Sequence, residues 1–150
     1  MNRILAVVKP TDTDVELLEE AGAVAAGTGV EVVVLALVSE GSEDASVDSI
    51  RQWDGFDATK TDETAETVNR FAEYLGSQIL DPFGVEYLAV GERIETTRPS
   101  SKIIDVAENH DCDHVYVSNR GRSPTGKALF GDTTQSVILN FDGFVTVRTA

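Results

Sequence analysis

The chain has 150 residues, the usual size of one domain that buries its own core without disulfides or metals. Hydrophobic residues make up 41% and charged residues 25%, which is typical of soluble globular proteins and argues against disordered and membrane classes. The 26 Asp and Glu outnumber the 12 Lys and Arg, so the formal net charge is -14. Because such a surface repels a phosphate backbone, nucleic acid is not an expected partner.

Three further features of the sequence bear on the cellular compartment of the protein. The lone Cys112 cannot form an internal disulfide, which fits a reducing cytoplasm. The N-terminal apolar run from Ile4 to Val8 is too short for a signal peptide or a membrane span. The acid-rich, Lys-poor composition predicts the cytoplasm of a high-salt-adapted prokaryote, and the alternative is an acidic protein that is merely soluble. We therefore expect a cytoplasmic protein.

Apolar runs alternate with helical patterns in the first half of the chain. The run from Ile4 to Val8 ends at Pro10 and predicts a buried parallel strand. Capping residues at positions 12–14 begin a helix that Gly27 and Gly29 end. The β-branched run from Val30 to Val38 predicts a second strand.

The second half continues the alternation of strands and helices. Helical spacing of apolar residues predicts three helices, from Thr61 to about Leu80, from Arg98 onward, and from about Thr125 to Asn140. Apolar and β-branched runs predict three strands, from Val85 to Val90, from His114 to Ser118 and from Phe144 to Val147. The whole chain is therefore predicted to be one doubly wound α/β domain, a three-layer fold with a single parallel sheet covered on both faces.

Ligands bind such sheets beyond the carboxyl ends of the strands, where the winding reverses. Those ends are Lys9-Pro10-Thr11 after the first strand and residues 118–121 after the fourth. Between Asp113 and Asp132 there is no acidic residue, while Arg120, Arg122 and Lys127 fall in this interval of a strongly acidic chain. The local sign of charge is reversed, which favours an anionic ligand.

The segment from Ser118 to Thr133 reads as a strand end, a glycine-bearing loop and a helix start. Ser123 can cap a helix and Pro124 suits its first turn, so unpaired N–H groups would face the strand end and bind an anion. The plainer interpretation is that Gly121 only permits a turn and Gly126 only permits close helix packing. The spacing matches neither a Walker A loop nor a dinucleotide fingerprint.

The segment resembles the phosphate-loop pattern G-x2-G-x9-G-[ST] of the universal stress protein family, and the resemblance covers essentially the whole chain. Gly121 and Gly131, with nine residues between them, reproduce the second and third glycines. Gly91, ahead of residues 103–107, resembles the family's third strand-to-helix junction. Three positions depart from the pattern: Ser118 replaces the first glycine, Asp132 replaces the Ser or Thr, and Lys9 stands where an Asp is usual.

The resemblance implies a five-stranded sheet of order 3-2-1-4-5 with two helices on each face. It implies a stress-associated regulatory protein and a homodimer that meets through the strand from Phe144 to Val147. It also implies ATP or another adenine nucleotide as ligand, with Mg²⁺ as a possible companion. The implied nucleotide-binding residues are Pro10, Thr11, Leu37, Ser118, Arg120, Gly121, Arg122, Lys127, Gly131, Asp132 and Thr133.

Two other functions stay open from the sequence. One is an interaction protein of the same fold that acts through its dimer surface and binds no nucleotide. The other is a small-anion or metabolite binder that uses only the phosphate half of the site, with Arg120, Arg122 and Lys127, and needs no adenine pocket. Catalysis is not indicated, because no nucleophile elbow and no base for a water molecule are visible, so any ATP hydrolysis should be slow. The cluster at residues 110–114 has no second ligand group, and no metal site is expected.

Overall fold

Five parallel strands form the sheet of the computed structural model, which describes residues 1–39, 46–57, 64–95, 97–119 and 131–149. The strands are β1 (Arg3–Val8), β2 (Glu31–Ser39), β3 (Tyr87–Ile94), β4 (His114–Asn119) and β5 (Phe144–Thr149). Their order in the sheet is β3-β2-β1-β4-β5, and every neighbouring pair is parallel. The doubly wound fold and the strand order 3-2-1-4-5 are therefore confirmed.

Helices cover both faces of this sheet. They are α1 (Asp12–Thr28), α2 (Val47–Arg51), α3 (Thr64–Leu75), α4 (Pro99–Asn109) and α5 (Asp132–Asn140). One buried cluster joins α1 and α3 to the sheet through residues such as Leu18 and Phe71. A second cluster, on the opposite face, contains Ile103 of α4 and Val137 of α5. Two long helices thus lie on each face, with the short α2 added beside α3.

Several boundaries differ from the sequence prediction. Strand β2 begins and ends one residue later than predicted, and β3 runs four residues further, because its last residue Ile94 still pairs with Ser39. The predicted helix ending near Leu80 is regular only to Leu75 and continues as a π-helix, Gly76–Leu80. The last predicted helix is described only from Asp132, since residues 120–130 lie outside the described part.

Gly91 does not lie at a strand-to-helix junction, so that part of the family comparison is wrong. It sits inside β3, paired with Ala36, and its N–H donates to Asn69 Oδ1 at 3.1 Å. A Cβ atom added there would lie 2.2 Å from the backbone nitrogen of Asn69. Glycine is thus needed for close packing of α3 on the strand.

Strands β1 and β4 part from each other at their carboxyl ends. Their pairing ends at Ala6 and Tyr116, whereas β1 remains paired with β2 as far as Val8. Two residues of β1 and three of β4 therefore extend beyond the shared ladder. Because the helices that follow these two strands, α1 and α5, lie on opposite faces of the sheet, a crevice forms between the strand ends.

Helix α1 starts directly after this crevice. Thr11 is its N-cap, one residue before the predicted caps, and its hydroxyl accepts from the N–H of Asp14 at 3.2 Å. Gly29 ends the helix in the left-handed conformation with φ of 74°, as glycine readily does. Within the described ranges, none of the helices combines the length and apolar character needed to cross a bilayer.

Candidate functional site

A cavity of about 330 Å³ lies beyond the carboxyl ends of β1 and β4. It is the crevice at which the winding of the sheet reverses, the place where the sequence predicts ligand binding. The lining residues that the sequence singles out are Leu37, Ser118, Gly131, Asp132 and Thr133. The lining residues that it does not single out as binding residues are Val7, Lys9, Val38, Ser39, Pro99, Ile103, Val117, Asn119 and Thr134.

Six other residues are predicted to bind the ligand: two do not line this cavity, and four lie outside the described residues. Pro10 and Thr11 do not line the cavity; Pro10 is buried, and Thr11 is the N-cap of α1. Arg120, Gly121, Arg122 and Lys127 fall outside the residues that the structure describes. The described wall therefore contains the strand ends and the start of α5, the two ends of the predicted phosphate loop.

A buried carboxylate fastens the strand ends together. Asp14, in the first turn of α1, has no exposed surface. Its Oδ2 accepts a hydrogen bond from the N–H of Lys9 at 2.6 Å, and its Oδ1 accepts one from the hydroxyl of Ser118. A buried charge is tolerated where donors surround it, and the positive end of a helix dipole adds stabilisation. Asp14 thus joins β1, α1 and β4 at the edge of the cavity.

The sequence gives only part of the signal for this interaction. An Asp three residues after a Thr cap is the spacing of a capping box, whose acidic side chain folds back to a backbone N–H before the helix. The spacing of Thr11 and Asp14 accounts for the bond from the N–H of Asp14 to the Thr11 hydroxyl, but the side chain of Asp14 reaches two residues beyond the N-cap, to the N–H of Lys9. The contact with Ser118 spans 104 positions and is set by the tertiary fold.

The start of α5 is fastened to β4 in a similar way. The side-chain oxygen Oδ1 of Asn119 accepts from the N–H of Gly131 at 2.8 Å. The hydroxyl of Thr134 lies 3.5 Å from the carbonyl oxygen of Ser118. Asn119 is 2% exposed, so its bond to Gly131 is shielded from water. These contacts fix the two ends of the segment 120–130 relative to each other.

The cavity wall combines apolar and polar residues. Val7, Leu37, Ile103 and Val117 supply aliphatic surface from the three strands β1, β2 and β4 and from α4. Ser118, Asn119, Thr133 and Thr134 supply hydroxyl and amide groups. A slot of this kind suits a small molecule with a flat apolar part and a polar part.

A larger and shallower depression of about 720 Å³ lies beside the beginning of β3. Its wall includes Arg70, Tyr74, Tyr87 and Leu88, from α3 and β3. It lies near the amino end of its strand, whereas doubly wound sheets bind ligands at the carboxyl ends. We therefore place the candidate site at the smaller cavity.

The remaining residues considered from the sequence have structural contacts. Burial raises the pKa of the Cys112 thiol to about 11, so the nucleophilic thiolate is scarce at neutral pH. The ring of His114 stacks on Phe144 with centroids 4.6 Å apart, and its Nδ1 lies 3.1 Å from Asp113 Oδ1. Trp53 meets Phe71 edge-on at 5.6 Å, which anchors the segment after α2 to the core.

A sequence profile of the universal stress protein family matches residues 1–147. The chain belongs to the universal stress protein family. This agrees with the strand order of the sheet. No curated protein sequence matches the chain significantly.

Solved structures of the family have the same fold. A universal stress protein from Archaeoglobus fulgidus is 25% identical and superposes with a TM-score of 0.64, covering 98% of this chain and 97% of its own. The universal stress protein from Archaeoglobus fulgidus in complex with dAMP is 22% identical, with a TM-score of 0.62 and coverage of 98% and 96%. A universal stress protein in complex with cAMP is 14% identical, with a TM-score of 0.65 and coverage of 97% and 95%.

We predict that Asp14→Asn destabilises the fold by about 1–3 kcal/mol, because an amide offers one acceptor where two donors converge. Asp12→Asn is the matched control, since Asp12 is an exposed acid in the same first turn, and it should cost about 0.5 kcal/mol or less. Urea unfolding of both variants at one salt concentration measures the difference. Equal losses in the two variants would mean that Asp14 acts only through the helix dipole.

Proposed function

We propose that this universal stress protein is a stress-associated regulator that binds an adenine nucleotide in the cavity between the ends of β1 and β4. The observation that carries the proposal is the convergence of Leu37, Ser118, Gly131 and Thr133 on one cavity at the point where the sheet winding reverses. Relatives of the same fold hold dAMP and cAMP in their solved structures, which supports an adenine nucleotide as the ligand class.

The proposed pose follows from the apolar and polar residues of the wall. The base and sugar lie against the aliphatic surface of Val7, Leu37 and Val117, where an aromatic ring loses little by leaving water. The phosphate lies toward the phosphate loop and the start of α5, near Gly131 and Thr133. By resemblance to the family, Gly121 and Arg122 complete that end, and Pro10 and Thr11 border the nucleoside end.

Mg²⁺ is proposed only as a companion of a bound nucleotide. The carboxylate of Asp132 lines the cavity and is the kind of ligand that Mg²⁺ prefers. Such an ion would neutralise the carboxylate beside phosphate oxygens. Any hydrolysis is proposed to be slow, in keeping with a sensor rather than an enzyme.

A second candidate, an interaction protein that works through a dimer surface, is favoured by the exposed apolar residues around β5. Phe144 is 65% exposed and Leu139 is 72% exposed. Strand β5 is an edge strand, so its outer backbone groups have no neighbouring strand among the described residues. Edge strands of this kind pair readily with another chain. A homodimer through this strand is compatible with either function.

The nucleotide proposal predicts that Gly121→Val weakens AMP binding about tenfold or more, because a side chain blocks the approach of phosphate to backbone N–H groups. Gly27→Val is the control, since Gly27 lies outside the cavity and a Cβ there meets nothing within 4 Å. Isothermal titration calorimetry on the wild type and both variants measures the affinities. Failure of the wild type to bind, or equal affinity in Gly121→Val, contradicts the proposal.

The dimer proposal predicts a sedimentation mass about twice the 16.1 kDa of the chain. Phe144→Lys should yield monomers, because it places a charge on the exposed apolar edge. Leu88→Lys is the control, since Leu88 is 45% exposed on the opposite edge strand, β3. A monomeric wild type at micromolar concentrations, or equal dissociation of both variants, would rule out this interface.

A further inference from the structure

One donor at the start of α5 is already used by the chain itself. The N–H groups at a helix N-terminus are the groups that bind phosphate in many proteins. Here the N–H of Gly131, the N-cap of α5, donates to Asn119 Oδ1 at 2.8 Å. Asn119 is buried, so its amide oxygen holds this donor in a shielded position. A phosphate oxygen that approaches Gly131 must therefore compete with an existing hydrogen bond.

A negative charge at the start of α5 is also supplied by the chain itself. Asp132 is the first residue of the helix and lines the cavity. A carboxylate in the first turn interacts favourably with the helix dipole, as a bound phosphate would. It also repels a second anion that comes close to it. The end of the cavity where a chain of phosphates would extend therefore carries a negative charge of its own.

The side chain of Ser118 can only accept a hydrogen bond from a ligand, whereas the backbone N–H groups of a phosphate loop donate hydrogen bonds. A serine hydroxyl has one proton to donate, and that of Ser118 goes to Oδ1 of Asp14. Asp14 is fully buried, and its Oδ2 already accepts from the N–H of Lys9. Ser118 is thus left with oxygen lone pairs alone for a ligand. Such a group accepts from a hydroxyl or amino group and offers no donor to a phosphate oxygen.

The formal charges of the described wall cancel. Among the described lining residues, Lys9 is the one cation and Asp132 the one anion. A phosphate monoester carries about -1.5 to -2 charges at pH 7, and each further phosphoryl group adds to this. The described wall therefore has no net positive charge to offset a phosphate, and the uncompensated charge grows with each further phosphoryl group.

From these four observations we infer that the cavity selects a nucleoside or nucleoside monophosphate over a triphosphate. The inference rests on the proposed function and names the ligand class of that same site. Arg120, Arg122 and Lys127, in the segment 120–130, are the cations that could oppose this preference. If the charges of these cations outweighed the other contacts, ATP would bind more tightly than AMP. The experiment therefore compares the affinities for the two nucleotides.

The experiment compares adenosine, AMP and ATP by calorimetry, without divalent cations and at one fixed KCl concentration. We expect wild type to bind AMP about tenfold more tightly than ATP. Asp132→Asn should raise the affinity for ATP about five- to tenfold and leave that for adenosine unchanged. Asp142→Asn is the matched control, because it removes the same charge from an exposed residue outside the cavity. It should change ATP affinity by less than about twofold.

The possible outcomes separate this inference from the proposed function. Tighter binding of ATP than of AMP by the wild type overturns the inference and leaves nucleotide binding intact. An equal gain in ATP affinity for Asp132→Asn and Asp142→Asn also overturns it, since net charge alone would then account for the effect. Absence of binding for all three ligands contradicts the proposed function itself.

Discussion

The hydrogen bonds of one buried carboxylate hold the candidate site together. Asp14 lies on α1 with no exposed surface, and it binds the end of β1 through Lys9 and the end of β4 through Ser118. A buried carboxylate without donors would cost several kcal/mol, so these two elements must stay within reach of it. The interaction thus ties the ends of β1 and β4 to each other beyond the point where their own pairing stops.

A second set of hydrogen bonds holds the start of α5 against the strand ends. Asn119 follows Ser118 on β4 and binds the N–H of Gly131, so neighbouring residues of one strand bind α1 and α5. The two helices lie on opposite faces of the sheet, which places β4 at the centre of the site. The cavity therefore combines a rigid wall of strand ends with the ends of the segment 120–130. Rigid walls of this kind favour a site that is formed before the ligand arrives.

The sequence predicts the fold well because the signals are local. Continuous apolar runs such as that from Ile4 to Val8 identify buried parallel strands, and alternation with helical spacing identifies the crossovers. The position of the cavity follows from the general rule for doubly wound sheets, together with the predicted ends of β1 and β4. The rule points to the end of β4 at Ser118, whereas Leu37 and Gly131 are predicted from the family resemblance; all three line the cavity.

What the sequence could not provide depends on contacts between distant residues. The bond from Ser118 to Asp14 spans 104 positions, and the local pattern marks Asp14 only as a capping residue. Gly91 looks like a junction glycine, but it is required by the backbone of Asn69 on a packed helix. The extension of β3 to Ile94 includes polar residues. An edge strand tolerates them, because its register depends only on the one strand it pairs with, here β2.

Binding of an adenine nucleotide between β1 and β4 is tested most directly by NMR, with the chemical shifts of the backbone amides followed during titration with AMP. The largest shifts should come from the cavity wall, at Lys9, Leu37, Ser118 and the start of α5 near Gly131. Amides beside the larger depression, such as that of Leu88, should not move. Shifts that cluster around the larger depression, or a spectrum that AMP leaves unchanged, would contradict a nucleotide site in this cavity.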